Sequence, residues 1–389
     1  MILRSLYLQH FRSYTNKKLD FSDEFSVVIG PNTAGKTNLS EAIHLLLTGK
    51  SFRTSRDTDM IAFDEAITRV GGMLSENNVV ASESEATFPD GIAASVAKGE
   101  PPRNDTVKME VVIASPQATG GRLSKKFLIN GVTKAKSAFV GLLPIVLFRP
   151  EELEIIIDGP SLRRDFLNSV LEQTDREYAV AKHTYERSLR QRNALLRIAQ
   201  ETPFRQGYKG QAGRAHAEQF AYWDDLLIEN GQILTKKRED FLNFVNEFEQ
   251  TIFSLTTTYD KSTISRERLD MYKDAEIGAG VTLVGPHRDD FFVSMNVGGK
   301  QKDMRDFGSR GQQRLAVLQL KMLQIAYILE KTGKKPLLVL DDIFSELDAH
   351  HIQLVLDNVR ESQGILTTTH KEFVPKKILD KATVIELEK

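Results

Sequence analysis

FSVVIGPNTAGKT, residues 25–37, decides the fold. Residues 25–29 form a short apolar run, the profile of a strand buried on both faces, and Gly30 turns it into a loop. A helix is expected over about 36–47. Between strand and helix, Gly30, Pro31, Asn32, Thr33, Ala34, Gly35, Lys36 and Thr37 fit the phosphate-loop pattern of glycine, four residues, glycine, lysine, serine or threonine. Such a loop wraps so that its N–H groups point at phosphate oxygens, and the helix N-terminus adds positive potential. Lys36 reaches the β- and γ-phosphates, Thr37 offers its hydroxyl to magnesium, and Gly30 through Asn38 are the nucleotide-contacting candidates. Thr33 stands where many such loops carry another glycine, which implies that the backbone there needs no positive φ.

Two further stretches belong with this loop. LLVLDD, residues 337–342, is an apolar strand ending in two carboxylates. Parallel sheets of phosphate-loop proteins place an acid at such a strand end, beside the loop, where it holds magnesium or its water. Asp341 is the candidate metal ligand, and Asp342 is the candidate for orienting or deprotonating the attacking water. FGSRGQQR, residues 307–314, sets glycine and serine directly before a long helix expected over about 311–330. These residues resemble the signature loop of ABC-type ATPases, with Ser309, Gly311 and Gln312 matching its serine, final glycine and glutamine. Along the same series, Ser345, Glu346, Leu347 and Asp348 resemble that family's dimer-contacting loop, and His370 resembles its switch histidine. Two departures bear on the chemistry. Where transporter ATPases carry a glutamine after the strand near Val146, this chain has Arg149 and Pro150; Asp342 replaces a common glutamate and reaches one methylene less, which argues for slow hydrolysis.

The remaining pattern fills in the architecture. Residues 1–30 read as two strands and a connector. Residues 67–129 hold β-rich segments at 107–113 and 125–129, with a tight turn at Asn130 and Gly131. Residues 81–105 read as a long irregular surface segment. From Ser161 the pattern turns helical, after the start signal Gly159 and Pro160. One long helix is expected over 176–200, a polar break over 203–213, and a second helical pattern over 214–253 with its apolar stripe on Phe220, Trp223, Leu227, Leu234, Phe241, Phe244, Phe248 and Ile252. Two readings are open: a projecting antiparallel arm about 60 Å long, or a bundle packed on the core. Gly231 is a candidate interruption. A hairpin is expected over 283–297, and strands over 336–340, 365–369 and 382–387, with a helix after Asp348.

Composition bounds the partners. A chain of 389 residues with 41% hydrophobic content suits roughly two or three domains. Lysine and arginine (52) balance aspartate and glutamate (53) to a net charge of -1, so contact with nucleic acid must come from local basic patches. With no cysteine, disulfides and thiolate chemistry are excluded. No run approaches the roughly 20 apolar residues that span a bilayer, and residues 1–9 alternate like a strand rather than a signal peptide. A cytoplasmic protein without a membrane partner is expected.

A narrower resemblance covers the whole chain. Phe11 and Arg12, Ser51 to Arg53, Arg149 to Leu153, Gly159 and Pro160 with Arg163 and Arg164, Gln191 to Asn193, Gly285 to Asp290 and Ser309 to Gln312 resemble the RecF family of bacterial recombination-mediator ATPases, related to SMC-type heads. The resemblance implies an ATP-dependent homodimer that binds single- and double-stranded DNA at gaps, works with RecR and sometimes RecO, and helps bring RecA to DNA in recombinational repair, replication and the SOS response. It implies ATP and Mg2+ as cofactors and weak ATPase activity. The expected fold is α/β: an ABC-type P-loop ATPase head, a mixed sheet with helices plus an antiparallel β subdomain, with an inserted α-helical arm domain. Its expected boundaries are 1–160, head with phosphate loop and β subdomain; 161–277, helical arm; and 278–389, head with signature loop, acidic strand and histidine. Lys36, Asp342, His370 and Ser309 are the catalytic candidates, and Ser309, Gly311 and Gln312 join residues 30–38 as nucleotide-binding candidates, supplied by the second copy and closing over the γ-phosphate. DNA-contact candidates are Arg4, Arg12, Lys17, Lys18, Lys134, Lys136, Arg187, Arg190, Arg192 and Arg197. A nucleotide-binding subunit of an ABC transporter and an SMC-like structural chromosome protein are the alternatives; the helical insertion and residues 285–290 disfavour the first, and the second needs far longer heptad arrays.

Overall fold

A computed structural model describes residues 1–76, 106–201, 211–343 and 362–388. The expectations placed on residues 81–105, on Ser345 to Asp348 and on the helix after Asp348 lie outside them. The described chain packs as two units, Met1–Pro150 with Lys334–Lys389, and Glu151–Gly333. This division differs from the expected boundaries: residues 278–333, assigned to the head, pack with the helices.

The first unit holds two sheets. One is a five-stranded, wholly parallel sheet in the order Thr383–Glu386, Phe25–Ile29, Gly364–Thr368, Leu337–Asp341, Ile145–Phe148. Its inner strands are apolar and buried on both faces, as a parallel sheet covered on both sides demands. The other is a six-stranded antiparallel sheet in the order Tyr14–Asp20, Ile2–Phe11, Ile67–Ser75, Thr106–Ala114, Ser124–Ile129, Val132–Lys134. The connector of residues 1–30 thus contains a strand of its own, paired with the first as a hairpin. Asn130 and Gly131, at φ 50° and 78°, make the expected tight turn. The helix Lys36–Thr48 touches both sheets and is buried nearly all round. Leu39, Ile43, Leu45 and Leu46 are fully buried in it, each contributing on the order of 2 kcal/mol.

In the second unit, helices Pro160–Thr174, Arg176–Glu201 and Gln211–Glu247 share one apolar core with the helix Arg310–Thr332 and with the sheet Thr256–Asp260, Asp290–Val297, Lys300–Asp303. The two long helices run antiparallel, since Tyr178 meets Arg238 and Arg192 meets Asp224. Within this unit the Tyr178 to Tyr185 end is bundled with Phe166, Phe291 and Tyr327, while the stripe residues Phe220 and Trp223 are only half-buried. Gly231 does not interrupt its helix. It is a point of close approach, where a Cβ falls 2.6 Å from Ile264 Cγ2. The hairpin expected over 283–297 lies instead at Asp290–Val297 and Lys300–Asp303; Pro286 has no N–H to give a ladder and opens a turn that buries Asp289. No helix among the described residues is long and apolar enough to cross a membrane.

Candidate functional site

The loop of residues 30–37 leaves the carboxyl end of the parallel sheet, where ligands bind in open α/β sheets. Gly35, at φ 92°, is the N-cap of the helix Lys36–Thr48; a Cβ there falls 2.9 Å from Tyr14 Oη, and that hydroxyl donates to the Gly35 carbonyl at 3.1 Å. Burial holds the Tyr14 phenol up at about 12, so it stays a donor. Thr33 corrects an expectation: its φ is 75°, a left-handed conformation that a β-branched residue rarely adopts. The loop therefore takes the shape a glycine would take, under strain. The first turn of the helix carries no acidic residue to screen its N-terminal potential.

Lys36 is buried and its ammonium donates to the carbonyls of Gly30 (2.7 Å) and Pro31 (3.0 Å). Burial lowers its pKa, opposed by the fields of Asp342 and Asp341. Thr37 is exposed. Asp341 ends its strand buried, in register with Thr367, whose hydroxyl donates to its carboxylate at 2.5 Å; Thr368 next to it is in register with Ile29 of the loop strand. Asp342 turns out of the strand at φ 53°, its N–H held by Thr367. Lysine, both carboxylates and the loop thus share one edge of the sheet. Exposed His370, its ring edge-on to Phe373, lines an open cleft with Gly30, Pro31, Asn32 and the C-terminal residues 386–388.

Among the described residues no cluster of three or more His, Asp or Glu side chains forms a metal cage. One hydroxyl and one carboxylate, Thr37 and Asp341, fit Mg2+, which keeps water and phosphate oxygens as its other ligands.

Glu41 was not singled out from sequence. Glu41, fully buried, accepts from Arg12 Nε and Nη2 (3.0 and 2.7 Å) and from Ser51 Oγ (2.5 Å), with Arg53 3.6 Å away. It gathers the family-like residues Arg12, Ser51 and Arg53 onto the loop helix. A lone acid inside the apolar run of residues 39–47 was the available signal. Asn38 is engaged in the same network, donating to Ser13 Oγ and accepting from Arg53. Where a metal-linking glutamine is absent, Arg149 lies 4.2 Å over the ring of Phe52.

In the second unit, Ser309 is the N-cap of the helix Arg310–Thr332 and forms a capping box with Gln312: its hydroxyl accepts from Gln312 N (3.3 Å), and Gln312 Oε1 accepts from Ser309 N (2.9 Å). Ser309 and Gly311 are exposed, and a Cβ on Gly311 meets nothing. The box presents a rigid, uncovered helix start.

The DNA-contact candidates divide. Arg192 is 3% exposed and pairs with Asp224 (2.6 Å) and Glu276 (2.7 Å), and Arg12 is tied to Glu41, so neither side chain is offered to a partner. Arg4 pairs with Asp23. Lys18, Lys134, Arg187, Arg190 and Arg197 are exposed; Lys17 and Lys136 are half-buried.

Residues 2–388 match the family model described as RecF/RecN/SMC N terminal domain. The DNA replication and repair protein RecF of an Exiguobacterium species is 31% identical over 410 residues, covering 100% of this chain and 97% of the relative. RecF of Moorella thermoacetica is 31% identical over 397 residues, covering 99% and 94%. A solved structure of the recombination mediator RecF-ATP in the RecFOR pathway is similar at a TM-score of 0.76 and 27% identity, over 96% of this chain and 93% of that one.

Proposed function

The chain belongs to the RecF family, within the wider group of RecF, RecN and SMC heads, and from that premise we propose that it is an ATP-gated, DNA-binding homodimer whose slow hydrolysis resets it. It is an ABC-type ATPase of DNA replication and repair. Two observations support the gating: loop, lysine and two carboxylates stand together at one sheet end of the first unit, and the capped Ser309 start of the second unit, which resembles the ABC signature loop, is exposed.

In this reading the loop N–H groups and the N-terminus of the Lys36–Thr48 helix bind the phosphates. Lys36 exchanges the carbonyls of Gly30 and Pro31 for the β- and γ-phosphates, so its charge is never left without a partner in a buried place. Thr37 and Asp341 would hold Mg2+, which when bound would supply charge neutralisation at the phosphates. Thr367 keeps Asp341 oriented, and Asp342 positions the attacking water with the short reach that makes turnover slow. His370 lines the same cleft as Gly30, Pro31 and Asn32 and would act toward the γ-phosphate from there. Ser309, Gly311 and Gln312 of a second copy close the site, so ATP acts as a ligand of the paired state, and its loss releases the pair.

As a partner set we infer gapped DNA, RecR and RecO, with delivery of RecA as the outcome and the cytoplasm as the location; the pathway in which the RecF-ATP neighbour is placed supports this. Ser309→Arg tests the composite site. The variant is expected to bind ATP like the wild type and to lose ATP-driven doubling of mass in light scattering, while Ser309→Thr, which keeps the cap, retains it. An arginine variant that still doubles its mass sinks the composite site.

A further inference from the structure

The two long antiparallel helices of the second unit carry opposite charges on their outer faces. On Arg176–Glu201 the buried residues Tyr178, Ala181, Tyr185, Ser188 and Arg192 follow one helical face. Half a turn round, Arg176, His183, Arg187, Arg190 and Arg197 are all exposed, at spacings of seven, four, three and seven residues that keep them on a single line. At 1.5 Å per residue that line runs for about 31 Å. Among the described residues none of its four arginines makes an ion pair. On Gln211–Glu247 the outward line reads Glu218, Tyr222, Asp225, Glu229, Lys236 and Asp240, also exposed, and is acidic.

We propose that the arginine line on Arg176–Glu201 is a track for the phosphate backbone of DNA, and that the acidic line on the companion helix restricts DNA to that one side. This rests on the DNA-binding reading above and names its surface on the second unit. Four always-charged side chains, without an ion pair among the described residues, along a straight line match a polyanion whose charges also repeat along a line. An acidic helix of a second copy is the other anionic candidate, and the pairing within the molecule disfavours it: Asp225 is already bound to Arg266 and Asp240 to Lys236, so that face has less charge to offer. With a whole-chain charge of only -1, segregation of charge is also what allows a local contact to be strong.

The test is a variant carrying Arg176→Gln, Arg187→Gln, Arg190→Gln and Arg197→Gln, compared with wild type and with Glu218→Gln/Glu229→Gln by fluorescence anisotropy on a gapped duplex, with ATP, over a salt series. All six positions are exposed, and an unchanged thermal midpoint verifies folding. The arginine variant is expected to bind at least about tenfold more weakly near 0.15 M salt, and the slope of log K against log salt to shrink by about three to four. The acid variant is expected to bind as well as wild type or better. Unchanged affinity and slope in the arginine variant overturn the track while leaving the DNA-binding reading in place; wild type that binds no DNA removes both. An arginine variant that keeps DNA but no longer doubles its mass with ATP assigns the line to a second copy and also overturns the track.

Discussion

Thr33 is the residue at which local rules and loop geometry collide. Holding an L-residue in the left-handed region costs about 1–2 kcal/mol, and Thr33 has φ 75°. Replacing it with glycine removes that strain but adds unfolded-chain entropy worth about 0.4–1 kcal/mol. Strain wins on these magnitudes, so Thr33→Gly is expected to raise stability in urea unfolding by about 0.5–1 kcal/mol; a loss of more than 1 kcal/mol shows that the threonine side chain holds the loop. Gly35 is the opposite case. Its φ and the Tyr14 hydroxyl 2.9 Å from any Cβ leave no room for another residue.

Within elements, packing overrides propensity. Alanine at position 231 gains up to about 1 kcal/mol of helix propensity, yet its Cβ lies 2.6 Å from Ile264 and 3.1 Å from Tyr185, and overpacking typically costs about 1–3 kcal/mol. Gly231→Ala is therefore expected to lower the urea midpoint, and a stabilised variant contradicts the close approach. The turn of residues 285–290 brings a second expectation. His287 accepts from the Tyr185 hydroxyl at Nδ1 (2.7 Å) and donates from Nε2 to the Thr282 carbonyl (3.0 Å), which sets its tautomer. Burial, with Arg288 and Arg164 nearby, depresses its pKa to about 4. The unfolded chain binds this proton first, near pH 6.5, so stability is complete above that pH and declines as pH falls toward 4. Wild type should lose stability across this window more steeply than His287→Gln in paired urea titrations; parallel curves dismiss the assignment.

For the molecule as a whole, the proposed ATP-driven association is the observable that tests the link from nucleotide to DNA. Asp342→Asn suits this scale because asparagine also tolerates the left-handed backbone found there, at φ 53°. With the carboxylate proposed to position water removed, hydrolysis is expected to fall by about 10²–10⁴-fold, while ATP still binds. Light scattering should then show a doubled mass that persists with ATP and increases in population on gapped duplex. Rapid return to single mass with ATP present rules out hydrolysis through Asp342 as the release step.

Local information determined a great deal here. The phosphate loop, the acidic strand and the long helices were legible because each is written in adjacent residues: the helix expected over 176–200 is Arg176–Glu201, and that over 311–330 is Arg310–Thr332. Periodic burial and capping residues act within a turn or two, so they survive in the linear pattern. Only the tertiary structure decided which strands are neighbours, as in the Asp341 to Thr367 contact or the Gln363 side chain that satisfies the backbone of Leu3. It decided that Arg192 is a buried partner of Asp224 while Arg190 faces solvent, and that residues 278–333 pack with the helices. Whether a charge is paired or solvated, and whether a backbone is strained, depends on what a distant segment brings within a few ångströms, and no pattern of neighbours along the chain carries that information.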